Sequence, residues 1–270
     1  MPNLRISLLQ TALHWENKTA NLDMLCKKIN SIKEETEIIV LPEMFSTGFS
    51  MNKEVLAEDM DGETISWMRK TSASKGAILA GSFIARESLS GKPAYYNRLV
   101  WMLPSGDFGF YDKRHLFAYG KEDQHYSPGK KRFIASVNAW KINLQVCYDL
   151  RFPVWIRQSR TENQSLKIEY DLLIVVANWP TVRRHAWKTL LTARAIENQC
   201  YVIGVNRTGT DGKGLAYSGE SMLIGPAGET IKLFGPEEDV FTHMLDRKHL
   251  EEVRSKYPFW RDADGFHIQS

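Results

Sequence analysis

Apolar runs too short to be helices alternate with stretches of helical period along most of this chain, and that alternation leaves few folds open. LRISLLQ precedes a stretch whose Leu22, Leu25, Ile29 and Ile32 share one helical face, and EIIVLPE follows, which is a βαβ opening. A second helical stretch, ETISWMRKTSASK, leads to GAILAGSFIARE; YYNRLVWML and FGFYDK, separated by the turn-forming PSGD, read as a hairpin. Then come RFIASVN, WKINLQVC, a helix beginning near Pro153, DLLIVVANW, a helix from about Arg183 to Asn198, and CYVIGVNRTG. SGESMLIGP and GETIKLF flank a PAG turn, and DRKHLEEVRSKY closes as a helix. Runs such as LLIVVA, apolar on both faces, suit parallel strands covered on both sides, so the mixture predicts an α/β layered fold with helices covering mixed sheets. The tail after Tyr257, PFWRDADGFHIQS, is aromatic and aperiodic; it is expected to pack along a surface or at a subunit interface.

No repeat or linker interrupts the 270 residues, and a chain of this length can bury one core, so a single domain over residues 1–270 is expected. Thirty-five Lys and Arg against 32 Asp and Glu leave +3, too little to argue for nucleic acid or a membrane surface. Small molecules and other protein chains are the expected partners. Cys26, Cys147 and Cys200 form no CxxC pair or zinc-spaced cluster, so no metal is expected and a reduced, cytoplasmic setting fits. The N-terminus shows no export signal, and the longest clean apolar run, residues 172–177, cannot span a bilayer.

In NLQVCYDLRFP the apolar run stops at Cys147 and two opposite charges follow, as where a strand opens onto a polar cleft. A strand cysteine taken alone is usually core filling. Two further strand ends, EIIVLPEMF and FGFYDKRHL, deliver Glu43 and Lys113, and open α/β sheets build their sites at strand ends. A thiol is mostly protonated at neutral pH, so a buried carboxylate such as Glu43 could take its proton. The Lys113 ammonium and the backbone N–H of Tyr148 could hold an oxyanion. Each residue also has a bland reading: Glu43 as a helix N-terminal acid after Pro42, Lys113 as a solvated charge paired with Asp112. A Cys-His pair through His115, His125 or His185 is the alternative chemistry. Cys26, on the apolar side of its helix, and Cys200, opening an apolar run, are expected to be buried packing residues.

LPEMFSTGF, YDKRHLF, CYDLRFP, NWP and RAIENQCYVIGVNRTG occur in an order that resembles the nitrilase superfamily, carbon–nitrogen hydrolases with a Glu-Lys-Cys triad, over residues 4 to 260. The resemblance implies a four-layer αββα sandwich, commonly dimerised through its sheets into an eight-layer assembly, with no metal or organic cofactor. It carries the triad onto Glu43, Lys113 and Cys147, and a second glutamate, which helps orient lysine and substrate, onto Glu122 in GKEDQ. Tyr148, Arg151, Asn178, Trp179 and Phe117, within or beside these blocks, are expected to bind substrate. LPEMFSTGFSM and GKEDQHYSPG look most like the omega-amidase branch. That likeness implies hydrolysis of the terminal amide of a small carboxylate-bearing monoamide, 2-oxoglutaramate or 2-oxosuccinamate in type, to acid and ammonia through a cysteine thioester. Arg151, Arg183, Arg184 and Lys188 are candidates to attract the carboxylate. N-carbamoyl amino acids, aliphatic amides and nitriles are alternative substrates, and a noncatalytic oligomeric scaffold is the reading from another class.

Overall fold

The computed structural model describes residues 2–89, 91–158, 168–264 and 266. Strand β1 (Leu4–Gln10) leads through helix α1 (Lys18–Ser31) to β2 (Ile38–Val40), so the βαβ opening forms where the apolar pattern puts it. Asn17 starts α1 by accepting the Ala20 N–H at 3.1 Å, and Leu22, Leu25 and Ile29 face inward. After a single turn, α2 (Lys53–Leu56), comes α3 (Glu63–Lys75), which ends on Gly76 at φ +62°, a left-handed position that glycine adopts without a Cβ penalty. β3 (Ile78–Leu89), β4 (Lys92–Met102) and β5 (Phe108–Asp112) follow.

The second half holds β6 (Ile134–Val137), β7 (Trp140–Val146), α4 (Pro153–Ile156), β8 (Leu172–Ala177), α5 (Arg184–Asn198) and β9 (Tyr201–Asn206). Next come β10 (Thr208–Thr210), β11 (Ala216–Ser218), β12 (Met222–Ile224), β13 (Thr230–Leu233), β14 (Asp239–Leu245) and α6 (Arg247–Lys256). One sheet runs β14-β1-β2-β3-β4-β5 and the other β13-β12-β9-β8-β7-β6. Each has three parallel strands at its centre, β1-β2-β3 and β7-β8-β9, flanked by antiparallel ones.

Alternation along β8 shows why the layers stack. Leu172, Ile174 and Val176 face the other sheet, where they share a core with Leu4, Ile6 and Leu8 of β1 and Val40 of β2. Leu173, Val175 and Ala177 point outward onto Trp187, Leu191 and Ala195 of α5. On the far side, Ile39 and Leu79 meet Leu25 and Ile29 of α1 and Ile65 and Met68 of α3. The result is the four-layer αββα sandwich, with helices on both outer faces.

Several features depart from the sequence pattern. β14 carries Asp239, Thr242 and His243 and has no apolar run; it forms because the edge of β1 offers unpaired backbone groups, and Ser7 and Thr242 hydroxyls meet across it at 2.8 Å. The short β10–β11 hairpin likewise lacks a strand signal. The helix at Pro153 is one turn, and residues 159–167 lie outside the described residues. Cys26 is not on the buried stripe: one position beyond Leu25 turns it about 100° around the helix, where it is partly exposed beside Asn30. The tail forms a short 3₁₀ turn, Phe259–Asp262, clamped to the end of α5 by Gln199, whose amide donates to Tyr257 O at 2.6 Å and accepts from Trp260 N at 3.3 Å. Residues 265 and 267–270 of that tail lie outside the described residues.

Gly204 in β9 lies directly against α5. A Cβ there would lie 2.5 Å from Leu191 Cδ1 and 2.7 Å from Trp187 Cζ2. Gly204→Ala is expected to cost about 1–3 kcal/mol by overpacking, read as a fall of several degrees in the thermal midpoint. An unchanged midpoint would show that α5 can shift freely.

Candidate active site

Four strand ends converge where the sheets face each other. The chain leaves β2 into a turn in which Leu41 N donates to Ala80 O at 2.7 Å and Met44 N to Ser82 Oγ at 2.8 Å, so Glu43 sits in a fixed bend rather than at a helix start. Lys113 directly follows β5, its N–H donating to Asn97 O at 3.0 Å while its carbonyl accepts from Gly129 N at 2.8 Å. Cys147 follows β7 and Asn178 follows β8. Met44 and Cys147 hold left-handed backbone, φ +45° and +47°, which side-chain-bearing residues adopt only when their surroundings enforce it.

Lys113 Nζ lies 2.9 Å from Glu43 Oε1 and 2.9 Å from Glu122 Oε2, with all three side chains buried. Asn97 Nδ2 donates to Glu43 Oε1 at 2.8 Å and to Glu122 Oε1 at 3.2 Å. The remaining oxygens are also held: Asn178 N donates to Glu43 Oε2 at 2.7 Å and Phe117 N to Glu122 Oε2 at 2.6 Å. Asn178 Nδ2 donates to the Glu43 carbonyl at 2.6 Å, a second tie between the two sheets. Buried charges at this density persist because each is paired and hydrogen-bonded.

Burial alone would pull the Lys113 ammonium down, but Glu122 and Glu43 outweigh it and hold its pKa above the ordinary value. Glu122 is pushed up by burial, which Lys113 opposes and the Glu43 charge reinforces. The Cys147 thiol is pushed well up, first by burial and then by the Glu43 carboxylate, with Lys113 working the other way. The resting arrangement is therefore a neutral thiol and a charged ammonium beside the same carboxylate.

Cys147 and Lys113 line a cavity of about 370 Å³. Phe117, Tyr148 and Trp179 supply aromatic walls, and Arg151, Arg183 and Lys213 bring positive charge. Arg151 lies over the Trp179 ring at 5.0 Å and Arg183 over Phe117 at 5.1 Å. Among the described residues no cluster of His, Cys, Asp and Glu has the makeup to hold a metal ion.

The carbon-nitrogen hydrolase family model matches residues 5–255. The chain belongs to the carbon-nitrogen hydrolase family. A protein named omega-amidase YafV, from Escherichia coli (strain K12), is 43% identical over 271 residues, 99% of this chain and 100% of its own length. A 2-oxoglutaramate amidase from Bacillus subtilis (strain 168) is 32% identical over 95% of this chain and 96% of its own. The crystal structure of XC1258 from Xanthomonas campestris, a CN-hydrolase superfamily protein with an arsenic adduct in its active site, superposes with a TM-score of 0.94 at 40% identity, covering 100% of both chains.

In this hydrolase Glu43 and Glu122 are buried around Lys113, and Cys147 lines the same cavity as that lysine. Tyr148, Arg151, Asn178, Trp179 and Phe117 all reach the cavity wall. Of the other cations, Arg183 reaches it, whereas Lys188 pairs with Glu220 at 2.8 Å. Asp112 pairs with Arg98, at 2.7 and 2.9 Å, and not with Lys113. His115 lies beyond the end of β5, stacks on Phe152 at 3.8 Å and bonds to Asp149 at 2.8 Å, so it is no partner of the thiol. Sequence reasoning passed over Asn97, a lone amide beside Arg98 in YYNRLVWML. It also passed over the hairpin loop that brings Asp211, Lys213, Leu215 and Tyr217 to the cavity, where TGTDGKG signals only a turn.

Because Cys147 rests as a thiol, the rate at which iodoacetamide labels it should keep climbing as pH rises from 7 past 9, where the thiolate fraction is still growing. A plateau near pH 8, measured by peptide mass mapping, would mean that Lys113 holds a thiolate instead. Cys200, fully buried and pushed up to about 12, should stay unlabelled in the folded protein.

Proposed function

We propose that this hydrolase cleaves the terminal amide of small carboxylate-bearing monoamides, 2-oxoglutaramate or 2-oxosuccinamate in type, through a thioester on Cys147. The observation that carries the substrate class is the set of cations facing the cavity: Arg151, Arg183 and Lys213 make no ion pair with a carboxylate among the described residues. The one acid in the wall, Asp211, is occupied by the Lys213 and Leu215 N–H groups at 2.9 Å each and by the Tyr217 hydroxyl at 3.0 Å. An anionic end fits such a wall, and the names of the E. coli and B. subtilis relatives support the same class.

The chemistry follows from the proton inventory. Glu43 takes the Cys147 proton as sulfur attacks the amide carbon; the C–N bond breaks and the nitrogen leaves as ammonia carrying that proton. Water then adds to the thioester while Glu43 takes its proton, and the C–S bond breaks to return the thiol and release the acid. An ammonium has three N–H donors. Glu43 and Glu122 occupy two of those on Lys113, leaving the third for the oxyanion beside the Tyr148 N–H, which lies in the first turn of a 3₁₀ helix where N–H groups lack intrahelical acceptors. Glu122 holds the ammonium on its line. The free thiol suits a reducing, cytoplasmic setting, and pairing as a homodimer is expected, to be read by light scattering.

Cys147→Ala should abolish ammonia release, and mass spectrometry of enzyme quenched in turnover should find the acyl group on Cys147; an adduct on Cys26 or Cys200 would reject the assignment. Lys113→Met should lower kcat by about two to three orders of magnitude, the effect of losing an oxyanion donor.

Substrate class is tested by ammonia release across 2-oxo acid monoamides, carbamoyl amino acids, nitriles and neutral amides of matched length. Arg151→Met or Arg183→Met should raise KM for the acids about tenfold or more, the worth of a charge-assisted hydrogen bond, and spare neutral amides. A neutral amide turned over with equal or greater kcat/KM would replace this reading with a general aliphatic amidase.

A further inference from the structure

Asp149 is fully buried two residues after Cys147, and no lysine or arginine pairs with it among the described residues. Four donors hold it instead. Oδ1 accepts from His115 N at 2.8 Å and lies 2.8 Å from His115 Nδ1. Oδ2 accepts from the Tyr111 hydroxyl at 2.9 Å and from Val146 N at 3.2 Å. The Tyr111 oxygen in turn accepts from Trp155 Nε1 at 2.9 Å and Arg114 N at 3.3 Å. The imidazole is fixed in plane by its stack on Phe152, with 7° between the rings.

The carboxylate and its partners bracket two reactive residues. Tyr111 and His115 stand on either side of Lys113; Val146 and Asp149 stand on either side of Cys147. Lys113 comes from one sheet and Cys147 from the other, and no hydrogen bond or ion pair joins the two side chains directly. We propose that Asp149, acting through His115 and Tyr111, is the positioning residue that sets the separation between the Lys113 ammonium and the Cys147 sulfur. It does so by binding the loop after β5 to the bend after β7. The left-handed backbone at Cys147 needs such an anchor, because the Val146 N–H and the Asp149 side chain close a ring around the strained residue. This inference rests on the reading that Lys113 and Cys147 carry the reaction.

A purely structural carboxylate would affect the amount of folded protein but not the turnover of what is folded, so kcat is measured per alkylatable Cys147 in the full chain, beside KM and thermal unfolding. Asp149→Asn keeps the shape but presents an N–H₂ to at least one pair of donors. It should lower kcat about a hundredfold with KM within about threefold, and slow single-turnover acylation by the same factor, the scale of a displacement near 1 Å at the reacting atoms. His115→Ala should lower kcat about tenfold, and His115→Asn, whose amide N–H takes the place of Nδ1, should recover most of it. That pair decides the matter even where Asp149→Asn fails to fold. Asp149→Asn with near-normal kcat per thiol, or His115→Asn no better than His115→Ala, overturns the positioning role. Cys147→Ala distinguishes the two claims: if it stays active the proposed reaction fails, and if it is dead while Asp149→Asn is normal only the role of Asp149 fails.

Discussion

A buried ammonium shared between two carboxylates is the constraint to which much of the rest answers. Lys113, Glu43 and Glu122 are buried against one another, and burying ions costs several kcal/mol each unless they are paired and hydrogen-bonded. The protein meets them with backbone and amide donors that belong to different elements: Asn97 from β4, Phe117 from the loop after β5, Asn178 from the end of β8. Those elements must arrive within a few tenths of an ångström, and close packing between the sheets makes that reproducible. Gly129 shows how tight the fit is. A Cβ there would sit 2.0 Å from the Asp112 carbonyl, in the segment that delivers Lys113.

Much of the fold was legible because β2 and β8 read as unbroken apolar runs, the other interior strands place apolar residues at alternate positions, and the outer helices keep a clear stripe. What escaped was held by partners rather than by pattern. β14 is an edge strand whose polar residues form a strand only because β1 is already in place, and the β10–β11 hairpin closes around Asp211, whose turn chemistry says nothing of the cavity beside it. At the site, Glu43, Lys113 and Cys147 stood out as reactive types at strand ends, and the structure brings them together with Glu122. Asn97 and Asp149 did not stand out, because their importance lies in what they touch across 25 to 54 residues of chain. Asp149 was visible only as a charge suggesting a polar cleft; it faces the interior.

The cavity wall separates two kinds of cation. Lys113 is paired with two carboxylates and held by burial, a fixed element of the interior. Arg151 and Arg183 rest on aromatic faces, which orient a guanidinium without neutralising it, so the wall keeps its positive potential for a ligand.

Glu43 and Lys113 ride on one sheet and Cys147 and Asn178 on the other, joined by the two Asn178 hydrogen bonds to Glu43 and by the bonds of Asp149 to His115 and Tyr111. Neither half of the chain contains a partial version of the site that could work at reduced efficiency. Under the proposed reaction, chemical competence is a property of the seam between the sheets. On that reading, a perturbation that merely slides one sheet over the other, leaving each intact, is expected to silence the molecule while it still looks folded.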